Sequence, residues 1–416
     1  MNRNQFALLL FLVVVLGIAA LTVYHKQNDV RSTGDPAIGK KLLGDLPVND
    51  VAHISIKQDT NELNLVKKEG RWRVRERNDY PANYSEISDF LLKTRDLKVV
   101  QSEQVGPSQL PRLSLVPGQG TNAALVLELK DQNDKTIQSL LLGKKHMQKP
   151  KGQSPMGDFG DSGWPDGRYV KVGANSATVA VISDALSNIE PKPEQWLNKD
   201  FIKVEKVRSI TANFPVATNS WKLTRETETA EWKLTEPKAG EQLDASKASS
   251  VSNPLSSPSF NDVDIKSTPQ QLGLDKPTVV TLDTFDDFVY TLKVGLKTND
   301  NYALAINVAA QLSKDRAPGK DEKPEDKAKL DKEFKEKQQK LEDKLNQEKS
   351  CEKWVYLVSS WTLDPLLKER SQLLVEKKEE PKKDDKAPAA STEPPKATDS
   401  VPHPDTNASS GPSGSN

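Results

Sequence analysis

The side chains able to carry chemistry are few and far apart. Asp158, Asp161 and Asp166 alternate with glycines in "GDFGDSGWPDG", and several carboxylates on one tight loop are what a hard cation such as calcium requires. Their spacing departs from the D-x-[DN]-x-[DN]-G pattern and no glutamate closes the loop, so the stretch reads as a Gly/Asp-rich turn leading into "GRYVKV". The letters "GDFG" match the magnesium motif of protein kinases, but no glycine-rich loop or catalytic loop accompanies them. The four histidines, His25, His53, His146 and His403, show no H-x-x-H or H-E-x-x-H spacing. Cys351 is the only cysteine and has no histidine near it in the sequence, which argues against a nucleophile. No G-x-S-x-G elbow, P-loop or dinucleotide fingerprint is present. The expectation is a protein without catalysis, metal or cofactor, with one reservation: carboxylates distant in sequence can converge in a fold.

Charge and composition narrow the partners. Lys plus Arg equals Asp plus Glu at 59 each, so the formal charge is zero and the basic surface that nucleic acid demands is not expected. Hydrophobic residues make up 35% of the chain and the mean hydropathy is −0.65, so part of the chain should be unpacked. The exception is Phe6–Tyr24, nineteen residues without a charge between Arg3 and the pair Lys26 and Arg31. About 20 apolar residues span a hydrocarbon core of roughly 30 Å. A cleaved signal peptide is the rival reading, but its apolar core is normally about 7–15 residues and an A-x-A site is missing. Residues 1–30 therefore read as a single-pass anchor in a bacterial inner membrane, N-terminus inside, with the bulk of the chain on the periplasmic side. A single cysteine permits no intramolecular disulfide, so the core must hold the fold.

The elements that would position any site come twice. "GRWRVRE" and "AEWKLTE" place Trp72 and Trp232 in the same local pattern, 160 residues apart. Before them come "VAHISIKQ" with "NELNLVKKEG", and "VRSITANF" with "SWKLTRETETA". The period-two apolar pattern in Leu63, Leu65, Trp72 and Val74, and in Trp221, Leu223, Trp232 and Leu234, predicts hairpin strands with one buried face. After them come a helix with Ile87, Phe90, Leu91 and Leu97 on one side, or a weaker one cut by Pro254. A short strand, a leucine-pair loop ("QLPRLSLVPG", "QQLGLDKPT") and four more strands complete each half. The fold class is α+β: two tandem modules over 47–190 and 203–370, each a mainly antiparallel twisted sheet with a helix on one face. The two tryptophans should be core anchors. Trp196, Leu197 and Phe201 make 191–206 a packed joint between the modules.

The second half carries an insertion over 310–352. Lys327 to Asn346 reads as a charged helix, with Asp331–Lys335, Glu333–Lys337 and Glu336–Lys340 as i,i+4 pairs. Leu330, Phe334, Leu341 and Leu345 form a narrow apolar stripe and are the candidate partner-binding residues, with a merely solvated insertion as the alternative. The tail over 376–416 combines a charge run with Pro, Ser, Thr and Ala and should be disordered.

The anchor Phe6–Tyr24, "VAHISI" leading to "GRWRV", "WLNKDFIKVEKVRSI", "AEWKL", "GRYVKV…ATVAVIS" and "KWVYLVSSW" together resemble a bacterial family of unknown function. Its members are single-pass membrane proteins with a repeated β-rich module. The resemblance covers about residues 1–370 and implies an auxiliary role beside an ABC-type export system of the gliding-motility kind. It supplies no catalytic residues, and the charged insertion and Pro-rich tail depart from it. The expected function is a non-catalytic, membrane-anchored accessory or scaffold protein with an envelope protein partner, such as ABC transporter subunits. A periplasmic ligand-binding protein or envelope hydrolase, with its site between the modules, is the alternative.

Overall fold

Alternating apolar residues become two antiparallel sheets. The computed structural model describes residues 38–120, 122–148, 164–173, 178–251, 255–317 and 322–376. The expected anchor over 1–30, Asp158 and Asp161, Pro254, and the tail from residue 377 lie outside these ranges. Among the described residues no helix is long and apolar enough to cross a membrane.

The first half supplies strands β1 (His53–Gln58), β2 (Asn61–Lys68), β3 (Arg71–Val74) and β4 (Tyr80–Pro81), then helix α1 (Tyr84–Asp96). Strands β5 (Val99–Gln104), β6 (Leu125–Lys130), β7 (Thr136–Gln148), β8 (Trp164–Val172) and β9 (Thr178–Ile182) follow. The second half supplies β10 (Val207–Asn213), β11 (Trp221–Thr224), β12 (Lys233–Leu234), α2 (Ala245–Ser250) and β13 (Asp262–Asp264). It continues with β14 (Thr278–Thr284), β15 (Phe288–Thr298), β16 (Asn301–Ala310), α3 (Pro324–Lys349), β17 (Val355–Ser359) and α4 (Ser360–Leu363).

The sheet orders are β4-β3-β2-β1-β6-β7-β8-β9-β5 and β12-β11-β10-β14-β15-β16-β17-β13. Apart from β4 they are one pattern. Registers agree residue by residue: Ile54 lies between Leu65 and Leu129, and Ile210 between Leu223 and Leu282. The leucine-pair loops also superpose in this frame. A Cβ on Gly143 of β7 would lie 2.3 Å from the Leu113 carbonyl oxygen, and one on Gly295 of β15 would lie 2.0 Å from that of Leu272. Leu140 pairs with Leu127 and Leu292 with Val280, which puts the two glycines at equivalent positions. Each sheet needs a residue without a side chain there so that the loop can lie against it.

Pairing of Val74 with Leu65 and of Leu234 with Leu223 brings Trp72 and Trp232 to equivalent places. Only Trp72 is buried; Trp232 is partly exposed, with the Arg225 guanidinium 4.7 Å from its ring centre. The expected pair of core anchors is thus one anchor and one rim residue. The reason is topological: β4 flanks β3, whereas β12 is itself the sheet edge. In the second half Trp221 takes the anchoring role, buried with its Nε1–H donating to the Lys368 carbonyl at 2.6 Å.

Helix α1 starts where the Asn83 side chain accepts from the Ser85 and Glu86 amides, and it buries Ile87, Phe90, Leu91 and Thr94. Its counterpart α2 has only six residues, capped by Asp244. One apolar core runs without a break from Leu43 to Leu373 and takes in both sheets. Leu197, Ile202 and Val204 of the joint are buried in it. The joint's backbone is spent on both sides. The Asn83 amide donates to the Trp196 carbonyl at 2.8 Å, and the Val204 amide donates to the Leu255 carbonyl at 2.8 Å. Buried backbone groups satisfied in this way leave the joint little freedom.

Candidate functional site

A cleft of about 530 Å³ opens where the two sheets and the joint meet. The first sheet contributes Arg71, Trp72, Arg73 and Tyr80, the joint Asp200 and Phe201, and the second half Cys351, Lys353, Trp354 and Tyr356. Tyr84, at the start of α1, stands at its rim with 68% of its surface exposed.

The floor is an aromatic cluster drawn from all three parts. Ring centres lie 5.0 Å apart for Tyr80 and Trp354, 4.7 Å for Phe201 and Tyr356, and 4.8 Å for Phe260 and Tyr356. All three pairs meet edge to face, the arrangement that ring quadrupoles favour. Burial pushes the Tyr80 and Tyr356 hydroxyls well above the usual phenol range. It likewise pushes the Cys351 thiol up, which keeps it protonated and a poor nucleophile. Charge in the walls comes from Arg71, Arg73 and Lys353 against one carboxylate, Asp200. Hydrolysis by paired carboxylates needs two such groups flanking the scissile bond, and this lining offers one. Flat rings beside cations suit a partner with apolar surface and negative charge.

A larger cleft of about 830 Å³ lies between α1 and the segment after β9, lined by Glu86, Asp89, Asp166, Asp184 and Glu190 with Lys93. Asp166 is the only described member of the three expected loop carboxylates, and its Oδ1 is 2.6 Å from Nδ1 of His146. Among the described residues no group of three metal-ligating side chains is assembled. Asp166, on β8, therefore contributes a hydrogen-bonded carboxylate to an acidic cleft.

The stripe on the inserted helix is divided. Leu341 and Leu345 pack against the chain's own core, Phe334 is partly buried, and Leu330 is 36% exposed. Helix α3 is fastened at its C-terminal end by a buried carboxylate. Glu348 accepts from the Lys203 amide at 2.8 Å and from the Tyr290 hydroxyl at 2.7 Å, and burial raises its pKa. Lys344 adds a hydrogen bond to the Lys203 carbonyl at 2.7 Å. Among the described residues, charges expected to pair within the helix reach outward: Asp331 pairs with Arg316 at 2.8 Å and Lys337 with Asp286 at 2.9 Å. Lys329–Glu333 and Lys332–Glu336 are the i,i+4 pairs nearby, at 3.9 and 3.8 Å. The insertion is thus a buttress on its own module, with only its N-terminal half presenting apolar residues outward.

A site between the modules was the alternative expectation, and Trp72, Phe201 and Cys351 were singled out for other reasons, but Tyr80, Trp354 and Tyr356 were not. The available signal was the aromatic content of "WLNKDF" and "CEKWVY" on segments flanking the joint and the insertion.

A family model described as a domain of unknown function (DUF4340) matches residues 158–277. Over those residues the chain is similar to that domain of unknown function. The match covers under a third of the 416 residues. It runs from the end of the first sheet through the joint and β13, so it includes Asp200, Phe201 and Phe260 but not Trp72 or Trp354. No curated protein and no solved structure matches the chain.

Proposed function

We propose that this is a non-catalytic, membrane-anchored envelope protein that works by binding, as an accessory or scaffold component of an ABC-type transport system. The observation that carries the binding role is the joint cleft. Its walls come from both sheets and the joint, held in place by one uninterrupted core. A rigid body with a preformed recess meets a partner without losing further conformational freedom. The anchor over 1–30 would keep that recess beside the membrane, and the resemblance to auxiliary proteins of gliding-motility-type exporters supplies the transporter as partner.

A second reading, a periplasmic ligand-binding protein, is favoured by the aromatic walls, since small-molecule sites are concave and ring-lined with a few polar groups. One experiment addresses both. A photo-crosslinking residue is placed at Tyr84, on the rim of the cleft, and separately at Leu330 on α3, in full-length protein in native membranes. Transporter permease or ATPase subunits captured from Tyr84 support the accessory role through the cleft. Capture from Leu330 alone would move the contact to the helix. No membrane protein from either position, with a small molecule retained by the purified protein in native mass spectrometry, would replace the accessory reading with the ligand-binding one.

A further inference from the structure

His53 is a buried imidazole with an oxygen acceptor at each ring nitrogen. The residue is 6% exposed. Its Nδ1 lies 2.6 Å from Oδ1 of Asp134, and its Nε2 lies 2.8 Å from Oδ1 of Asn64. The far end of the Asn64 carboxamide fixes its orientation, because Nδ2 donates to Glu62 at 3.1 Å and to Glu76 at 2.9 Å. Turned over, Asn64 would set its oxygen against two carboxylates. It therefore presents an oxygen to His53, and Nε2 must carry a proton. The hydrogen bond from His53 holds the Asp134 carboxyl below its usual range. The Asp134 side chain is 69% exposed and accepts as an ordinary ionised carboxylate, so Nδ1 facing it carries a second proton.

The contacts run on from there to the joint. Glu76 accepts from the Asn64 amide at 2.9 Å. The next residue, Arg77, donates to the Glu76 carbonyl at 3.2 Å, lies 3.7 Å from Glu194 of the joint, and grips Asp262 of the second sheet through Nε at 2.7 Å and Nη2 at 2.6 Å. The other charges around the ring are Lys57 on β1, Glu62, Lys67 and Lys68 on β2, and Arg75 after β3. Glu69 in the β2–β3 turn, Glu128 and Lys130 on β6, and Asp131 in the turn after it complete them. Lys57 pairs with Glu62 at 3.7 Å and Lys130 with Glu128 at 3.1 Å, so those four largely offset one another. The position equivalent to His53 in the second sheet is Ser209, whose hydroxyl donates to Asp283. Only the first sheet holds an imidazole there.

We propose that His53 is a proton-operated latch on the joint. Doubly protonated, it ties the Asp134 turn to β2 and, through Asn64 and Glu76, steadies the turn that carries Arg77. Removal of the Nδ1 proton leaves a lone pair facing the Asp134 carboxylate and releases that turn. The stabilisation is present while the imidazolium persists and is lost as pH rises. On the acid side it fails only where Asp134 protonates, below the usual carboxylate range.

The test uses the full-length chain with nitrogen-labelled histidine, followed by ring 15N–1H correlation from about pH 5 to about pH 9, around the ordinary imidazole range near 6.5. In parallel, amide exchange is measured for the segments 61–77 and 131–136, corrected for intrinsic base catalysis. Both His53 ring nitrogens should carry protons wherever the two segments are protected, and one of those protons should leave as protection is lost. Exchange in the two segments should rise about tenfold or more as that proton leaves. His53→Gln should exchange fast at every pH. Asp134→Asn keeps an acceptor but removes the charge, and should release at a lower pH than the wild type. Should His53→Gln not fold, Asp134→Asn and the wild-type spectrum decide the matter. A neutral His53 tautomer in the wild type while the two segments stay protected, or the same exchange profile in wild type and Asp134→Asn, overturns the latch.

Discussion

Arg77 and Asp262, 185 residues apart, are joined by two parallel hydrogen bonds that fasten the first sheet to the second. Their side chains are 18% and 22% exposed, and the contact raises the pKa of Arg77. A two-pronged guanidinium–carboxylate contact specifies direction as well as proximity. Removing either partner leaves the other half-buried and under-solvated. Allowing for partial solvent screening, Arg77→Ala or Asp262→Ala should cost about 1–3 kcal/mol in urea unfolding. The double variant should cost less than the sum of the two. Strict additivity would mean that the pair contributes nothing as a pair.

Trp221 and Trp232 should separate by stability. Trp221→Ala removes a buried ring and its hydrogen bond to Lys368 and should cost about 3–5 kcal/mol. Trp232→Ala, at the rim under Arg225, should cost about 1 kcal/mol. Equal losses would restore the reading of Trp232 as a core anchor.

Gly143→Ala and Gly295→Ala should behave as one experiment performed twice. Each new methyl would meet a carbonyl oxygen at 2.3 or 2.0 Å, so strand and loop must part. A loss of about 1–3 kcal/mol is expected for each, read from thermal unfolding. A neutral effect at one site and not the other would show that the leucine-pair loops bear differently on their sheets.

Glu348 gives a pH signature that can be compared with Glu348→Gln. Burial raises its folded pKa above the ordinary 4.5, so the folded state holds this proton more tightly than the unfolded one. The sign follows: relative to Glu348→Gln, the wild type should lose stability as pH rises through 4.5 to the folded value and stay level above it. Chemical denaturation of both proteins across that interval is the check, and parallel curves would contradict the assignment.

Much of this fold was legible because strand pairing within a hairpin is local. Leu63 and Leu65 against Trp72 and Val74, and the matching residues near Trp232, announce both hairpins and their likeness. Burial of each tryptophan was not legible, since it depends on whether another strand lies outside the hairpin, and β4 has no counterpart beyond β12. The far edges were equally hidden. Val99 pairs with Ile182 and Val263 with Tyr356, and nothing in the period of a short strand says which distant strand it will join. The joint cleft belongs to the same class: Trp72, Phe201 and Trp354 come together only once both sheets exist. The inserted helix was visible from its charges, but the docking of Leu341 and Leu345 was not, because a narrow apolar stripe serves a partner and the chain's own core alike.

The position of β5 and β13 also sets an order of events. Each is an outermost strand, yet each precedes in sequence the strand it joins, and in the second sheet β16 and all of α3 must be traversed before β17 is available. Closing so long a loop is slow relative to forming the neighbouring hairpins. The three residues of β13 therefore find their place only after β17 has been made. Asp262 is one of them, so the tie to Arg77 is completed only after the second sheet has closed.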